Sequence, residues 1–100
     1  MRIVAITNDL MDRSRIGGAL ADVEFARDAG GCAGADVVVI DLARDAGHVA
    51  AVRAAAPDAR IVAFGPHVDA ELLAQATRDG ADRVLPRSRF FQDPAAALAP

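Results

Sequence analysis

The sequence predicts an α/β fold, a three-layer sandwich with a five-stranded parallel sheet between helices. Three observations predict it. Short β-branched runs alternate with Ala-rich segments along the whole chain, the pattern of strands joined by helical crossovers. The run Val37-Val38-Val39-Ile40 is apolar at every position, which suits a central strand buried on both faces. Gly and Pro close the successive segments, at Pro57, Gly65-Pro66 and Gly80, where helix and strand propagation stop.

The first strand is Ile3-Val4-Ala5-Ile6-Thr7, and Asn8 or Asp9 caps the helix that follows, because a side-chain oxygen there accepts from the exposed N–H groups of the first turn. That helix runs from Leu10 to about Ala19, weakened by Gly17-Gly18. Residues 22–26 alternate polar and apolar, as in an edge strand whose charges discourage further pairing. Residues 28–35 hold three glycines and few apolar anchors, so they read as a loop with one helical turn. The central strand spans 36–42 and a helix spans 46–56, with Val49 and Val52 on one face. Ile61-Val62-Ala63-Phe64 is the fourth strand. Asp69 caps a helix through Arg78, with Leu72, Leu73 and Ala76 inward. Residues 82–85 form the last strand, Ser88 starts a turn, and Asp93-Pro94 opens a very short final helix.

Composition bounds the function. One hundred residues suit one domain, spanning 1–100, with one core. A net charge of −3 and a 4% aromatic content with no Trp or Tyr argue against a nucleic-acid binder. All eleven basic residues are Arg, so Schiff-base chemistry is excluded; together with the abundant Ala this composition points to a GC-rich bacterial genome. The lone Cys32 excludes an internal disulfide and a Cys-cluster zinc site. No apolar run is long enough to span a membrane and none resembles a leader peptide, so the expected location is the cytoplasm.

Right-handed crossovers and this strand spacing favour the flavodoxin-like order 2-1-3-4-5. The functional crevice of such a sheet lies at the carboxyl ends of its strands. Here that edge carries Thr7, Asn8, Asp9, Asp41, Ala43, Gly65, Pro66, His67 and Arg87.

With the segments Val37-Val38-Val39-Ile40-Asp41, Ile61-Val62-Ala63-Phe64, Asp79-Gly80-Ala81 and Val84-Leu85-Pro86-Arg87-Ser88 in this order, the chain resembles the receiver domain (CheY-like) of two-component response regulators. The resemblance covers essentially all of the chain, with shortened second and last helices. It implies a phosphoacceptor at Asp41 and, in active members, Mg²⁺ held with a carboxylate pair after the first strand. Without gaps that pair falls on Thr7 and Asn8; a shift of one gives Asn8 and Asp9. The hydroxyl that follows the phosphate falls on Gly65, and the Lys on Arg87. The Pro after that Lys falls on Ser88, and Met-Pro after the aspartate is replaced by Arg44-Asp45. Asp9 and Asp41 remain as metal candidates, fewer oxygen ligands than Mg²⁺ prefers. The site reads as that of a degenerate, pseudo-receiver.

Plainer readings stand beside these. Asp41 can be a strand-end carboxylate paired with Arg87 or Arg44. Asn8-Asp9 reads as a helix cap before a metal site, His67 as a loop residue, and Phe90-Phe91 as packing for the last turn. Cys32 has no basic neighbour in sequence to activate it. The leading expectation is a stand-alone receiver-like signalling module, not an enzyme, acting by contact with a protein partner or as a homodimer. It needs no cofactor, and involves neither nucleic acid nor membrane. The resemblance suggests Gln75, Arg78, Asp82 and Arg83 as interface candidates. Two alternatives are a phosphoacceptor at Asp41 using Mg²⁺, and a small-ligand or enzymatic site built on Asn8, Asp41, His67 and Arg87.

Overall fold

In the computed structural model the strand Val37–Asp41 (β3) lies at the centre of the sheet, and every one of its residues is buried. Its neighbours are Ile3–Ile6 (β1) and Arg60–Gly65 (β4). The edges are Glu24–Phe25 (β2) and Arg83–Pro86 (β5). Among the described residues the strands form one five-stranded, all-parallel sheet in the order β2-β1-β3-β4-β5, as the sequence predicts. The structure describes residues 1–45 and 47–100, with the backbone alone for residues 44 and 45.

The pleat divides the core. Val4, Ile6, Val38, Ile40, Ile61 and Ala63 face one layer, formed by the 3₁₀ turn Ala29–Cys32, the helix His48–Ala55 (α3) and the helix Ala70–Arg78 (α4). Between β3 and α3 lies a short helix, Leu42–Asp45 (α2), and its Leu42 joins this layer. Ala5, Val37, Val39, Val62, Phe64 and Leu85 face the other layer, formed by the helices Leu10–Ala19 (α1), Arg87–Gln92 (α5) and Pro94–Ala97 (α6). Successive side chains of a strand point to opposite faces, so an unbroken apolar run serves both layers at once.

Several boundaries differ from expectation for identifiable reasons. The edge strand shrinks to Glu24–Phe25, because Asp22 turns the chain at φ 62, a left-handed conformation that Asp tolerates better than most residues. The expected turn at Ser88 is instead the helix α5. A six-residue helix with no side-chain N-cap bond is marginal by itself. Its Phe90 is fully buried and stacks on Phe64 with ring centroids 4.6 Å apart, and this tertiary contact sustains it. The helix expected over 46–56 is His48–Ala55; Ala46 lies outside the described residues. The short α2 has no counterpart in the sequence reading. It begins where the Asp41 carboxylate accepts from the Ala43 N–H at 3.0 Å, a capping bond of the kind Asp commonly makes.

At the amino edge, Arg53 of α3 ties the crossovers together. Its guanidinium donates to the carbonyls of Gly80, Pro57 and Ala59 and to the Asp82 carboxylate. Gly80 is required there: its φ is +116, and a Cβ would sit 3.0 Å from Arg53 Cγ.

Candidate functional site

Strand register sets which side chains meet at the carboxyl edge. Ile6 pairs with Ile40, so Thr7 emerges beside Asp41. Asp41 pairs with Phe64, and Gly65 with Pro86, so Gly65 and Arg87 emerge on the far side.

Asp41 is buried, with 2% of its surface exposed. Its Oδ2 accepts from the Thr7 hydroxyl at 3.2 Å, and its Oδ1 accepts from the Ala43 N–H. Burial pushes its pKa above the ordinary carboxylate value, and the charge of Asp12 adds to the rise. The bonds from Ala43 and Thr7 and the charge of Arg87 oppose it. Burial wins because removing a carboxylate from water disfavours its charged form.

The expected pairing of Asp41 with Arg87 does not form. Arg87 binds Asp12 instead, through two parallel contacts: Nη1 to Oδ2 at 2.7 Å and Nη2 to Oδ1. Asp12 lies on the inward face of α1 and is 1% exposed, while 43% of the Arg87 side chain stays open to solvent. The guanidinium also lies 4.9 Å from the Phe91 ring centroid. The hydrogen bond to Asp12 raises the Arg87 pKa further, with the charges of Asp12, Asp41 and Asp9 contributing. The Arg fork binds a carboxylate with two donors at once; α1 presents Asp12 to it, while each Asp41 oxygen takes one donor from its own edge. The alternative partner for Asp41, the Arg44 side chain, lies outside the described residues.

Asp9 is the N-cap of α1, accepting from the Asp12 N–H at 3.0 Å. The helix-cap reading of Asn8-Asp9 therefore holds, with Asp9 as the cap. Asn8 and His67 are exposed, His67 in the turn after β4. Gly65 is buried, and a Cβ there would meet Leu42 Cβ at 3.2 Å and Leu73 Cδ2 at 3.3 Å. A hydroxyl-bearing residue has no room at this position without repacking those leucines.

Mg²⁺ takes several oxygen ligands in near-octahedral array, and the carboxylates at this edge already serve other groups. Both Asp12 oxygens hold Arg87, both Asp41 oxygens hold protein donors, and one Asp9 oxygen holds the α1 cap. Among the described residues no three of His, Cys, Asp and Glu converge as a metal-holding group.

The interface candidates are not on one footing. Gln75 and Arg78 are exposed on α4, where Arg78 bonds Glu71 and Gln75. Asp82 lies at the amino edge, holding the Ile61 N–H at 2.8 Å and Arg53 at 2.7 Å. Arg83 donates to the Ala97 carbonyl at 3.2 Å. Cys32 is fully buried, and burial raises its thiol pKa, as in an inert structural cysteine. Asp12 is the residue that sequence reasoning missed, although its signal was present. It stands four residues before the buried Ile16, hence on the same inward helix face.

No family model matches the chain, and no curated protein matches it. Solved structures do. A response regulator protein from Burkholderia pseudomallei, with a phosphorylated aspartic acid, calcium ion and citrate, is 21% identical with a TM-score of 0.77; the match covers 98% of this chain and 66% of that one. NtrX from Brucella abortus, in complex with ADP, is 18% identical with a TM-score of 0.75, over 98% of this chain and 27% of NtrX. This chain thus spans less than two thirds of either protein. The signal receiver domain of an HD domain-containing protein from Pseudomonas fluorescens Pf-5 is 20% identical, with a TM-score of 0.79, over 97% of this chain and 90% of that domain. What is shared at these identities is the fold: the chain has the CheY-like, flavodoxin-like fold of response-regulator receiver domains.

Proposed function

We propose that this chain is a receiver-like signalling module that works by protein contact, with a partner or a second copy, and does not use the phosphorylation chemistry of its fold relatives. The observation that carries the reading is the commitment of Arg87 to Asp12. Arg87 stands where receivers carry the basic residue that reads a phosphoryl group, and here its donors already hold a buried carboxylate. Gly65, at the hydroxyl position, is packed under Leu42 and Leu73, which supports the same reading. So does the engagement of the carboxylates at this edge by other groups. The role proposed is non-enzymatic. The exposed polar face of α4 at Gln75 and Arg78 is the contact surface favoured by this reading; Asp82 and Arg83 serve the fold through their internal bonds. The net charge of −3 weighs against a nucleic-acid partner.

Incubation with acetyl phosphate and Mg²⁺, followed by intact-mass measurement, tests the proposal. The expected result is an unchanged mass. A stoichiometric, hydroxylamine-labile phosphoryl addition that disappears in Asp41→Asn would overturn it in favour of a working phosphoacceptor.

A further inference from the structure

A cavity of about 470 Å³ opens beside the carboxyl ends of β1 and β2, lined by Thr7, Asn8, Arg13, Phe25, Ala26 and Arg27. That volume lies within the range of small-molecule sites. Arg2, Arg53, Arg78 and Arg87 each hold a carboxylate. Arg13 and Arg27, like Arg15, Arg60, Arg83 and Arg89, hold none among the described residues, and of these six only Arg13 and Arg27 line this cavity. Of the acidic residues near them in sequence, Glu24 is turned to Arg2 at 2.9 Å, Asp12 holds Arg87, and Asp28 accepts from the Gly31 N–H at 3.4 Å.

The walls also hold this charge in place. The Arg13 guanidinium lies 4.8 Å from the Phe25 ring centroid. Stacking of this kind restrains a guanidinium through its face and leaves its in-plane N–H donors available. Asn8 has no side-chain hydrogen bond among the described residues, so its amide is a further available donor. Thr7 is wall alone, since its hydroxyl donates to Asp41 and accepts from the Asp9 N–H.

We propose that this cavity binds a small tetrahedral oxyanion, a phosphate or the phosphate group of a monoester, between the Arg13 and Arg27 guanidiniums with Asn8 as an additional donor. Donors from three separate places, the end of β1, the first turns of α1 and the segment after β2, suit an anion with acceptors in several directions. A planar carboxylate is satisfied by a single guanidinium fork. The site lies on the β1–β2 side of the carboxyl edge, where its wall residue Thr7 borders Asp41, and it goes beyond the interaction-module reading; neither depends on the other.

An NMR titration of the full chain with inorganic phosphate at low ionic strength tests it, with acetate as the planar comparison. Saturable shifts are expected at residues 7, 8, 13 and 25–27, with acetate much weaker. Arg13→Gln and Arg27→Gln should each weaken phosphate binding about tenfold, the loss of one charge-assisted contact, while Arg89→Gln, an exposed residue of α5, leaves it unchanged. Both lining arginines are exposed, so the variants should melt like the parent. Non-saturating shifts, shifts centred on Asp41 and Arg87, undiminished binding in either lining variant, or acetate binding as tight as phosphate would each overturn the assignment.

Discussion

Arg87 and Asp12, 75 residues apart in sequence, form a two-point ion pair across the carboxyl edge of the sheet. The pair ties the first turn of α5 to the inward face of α1. It also commits to Asp12 a cation that the sequence placed opposite Asp41. Among the described residues Asp41 is bonded by neutral donors, the Thr7 hydroxyl and the Ala43 N–H.

The pair is asymmetric in burial, and so should be its mutational cost. Arg87→Gln leaves the buried Asp12 charge without a partner and should destabilise the protein by about 3 kcal/mol, near the lower end for a broken buried pair because the guanidinium is partly solvated. Asp12→Asn should cost less, since the cation it frees can turn to water. A double-mutant cycle read by urea melts should give an Asp12–Arg87 coupling above ~1 kcal/mol. The corresponding Asp41–Arg87 cycle should give under ~0.5 kcal/mol. The reverse order would place the functional pair back at Asp41.

Asp41→Asn should stabilise the fold at neutral pH, by on the order of 1 kcal/mol. The folded pKa of Asp41 is raised, chiefly by burial, so between the unfolded value and the folded one the native state binds more protons. Stability from this group is then full below the unfolded value and falls as pH rises through the folded value. Asn keeps the capping acceptor for Ala43 and carries no charge. Urea melts of both proteins across the acid range should show the advantage of Asn absent at the acid end and growing as pH rises. An advantage that is constant with pH, or a destabilised variant at neutral pH, would contradict this account.

Gly65→Ala should destabilise by about 1–3 kcal/mol, the usual cost of overpacking a dense interior. The added methyl would lie 3.2 Å from Leu42 Cβ, which is anchored close to the backbone, and 3.3 Å from Leu73 Cδ2. The further change Leu73→Ala should recover less than all of that loss, since Leu42 still crowds the position. Thermal melts read the outcome, and a Gly65→Ala protein as stable as the parent would show that the leucines yield freely.

The layers and strand order were legible in the sequence because they rest on local signals that survive folding unchanged. The β-branched run at 37–40 needs burial on both faces, and Asp9, Asp69 and Asp93 cap the helices that follow them. Each signal acts within a few residues of itself, and right-handed crossovers leave few ways to assemble the pieces. The helix at 87–92 was not legible in this way, because the stacking of Phe90 on Phe64 that sustains it comes from another strand.

The charged site followed the opposite rule. Asp41, Gly65 and Arg87 were placed at the carboxyl edge by sequence alone, since strand ends fix backbone position. Which carboxylate Arg87 would hold was decided by tertiary structure. Asp12 reaches it only because α1 turns its inward face toward β5 and α5, while each Asp41 oxygen takes one donor from its own edge. The cavity at Arg13 and Arg27 has the same origin, a β1–β2 pairing that brings residues 7–8 beside residues 25–27. A sequence orders its charges along the chain; their pairing depends on angstrom-scale distances and on burial, which exist only once the layers have packed.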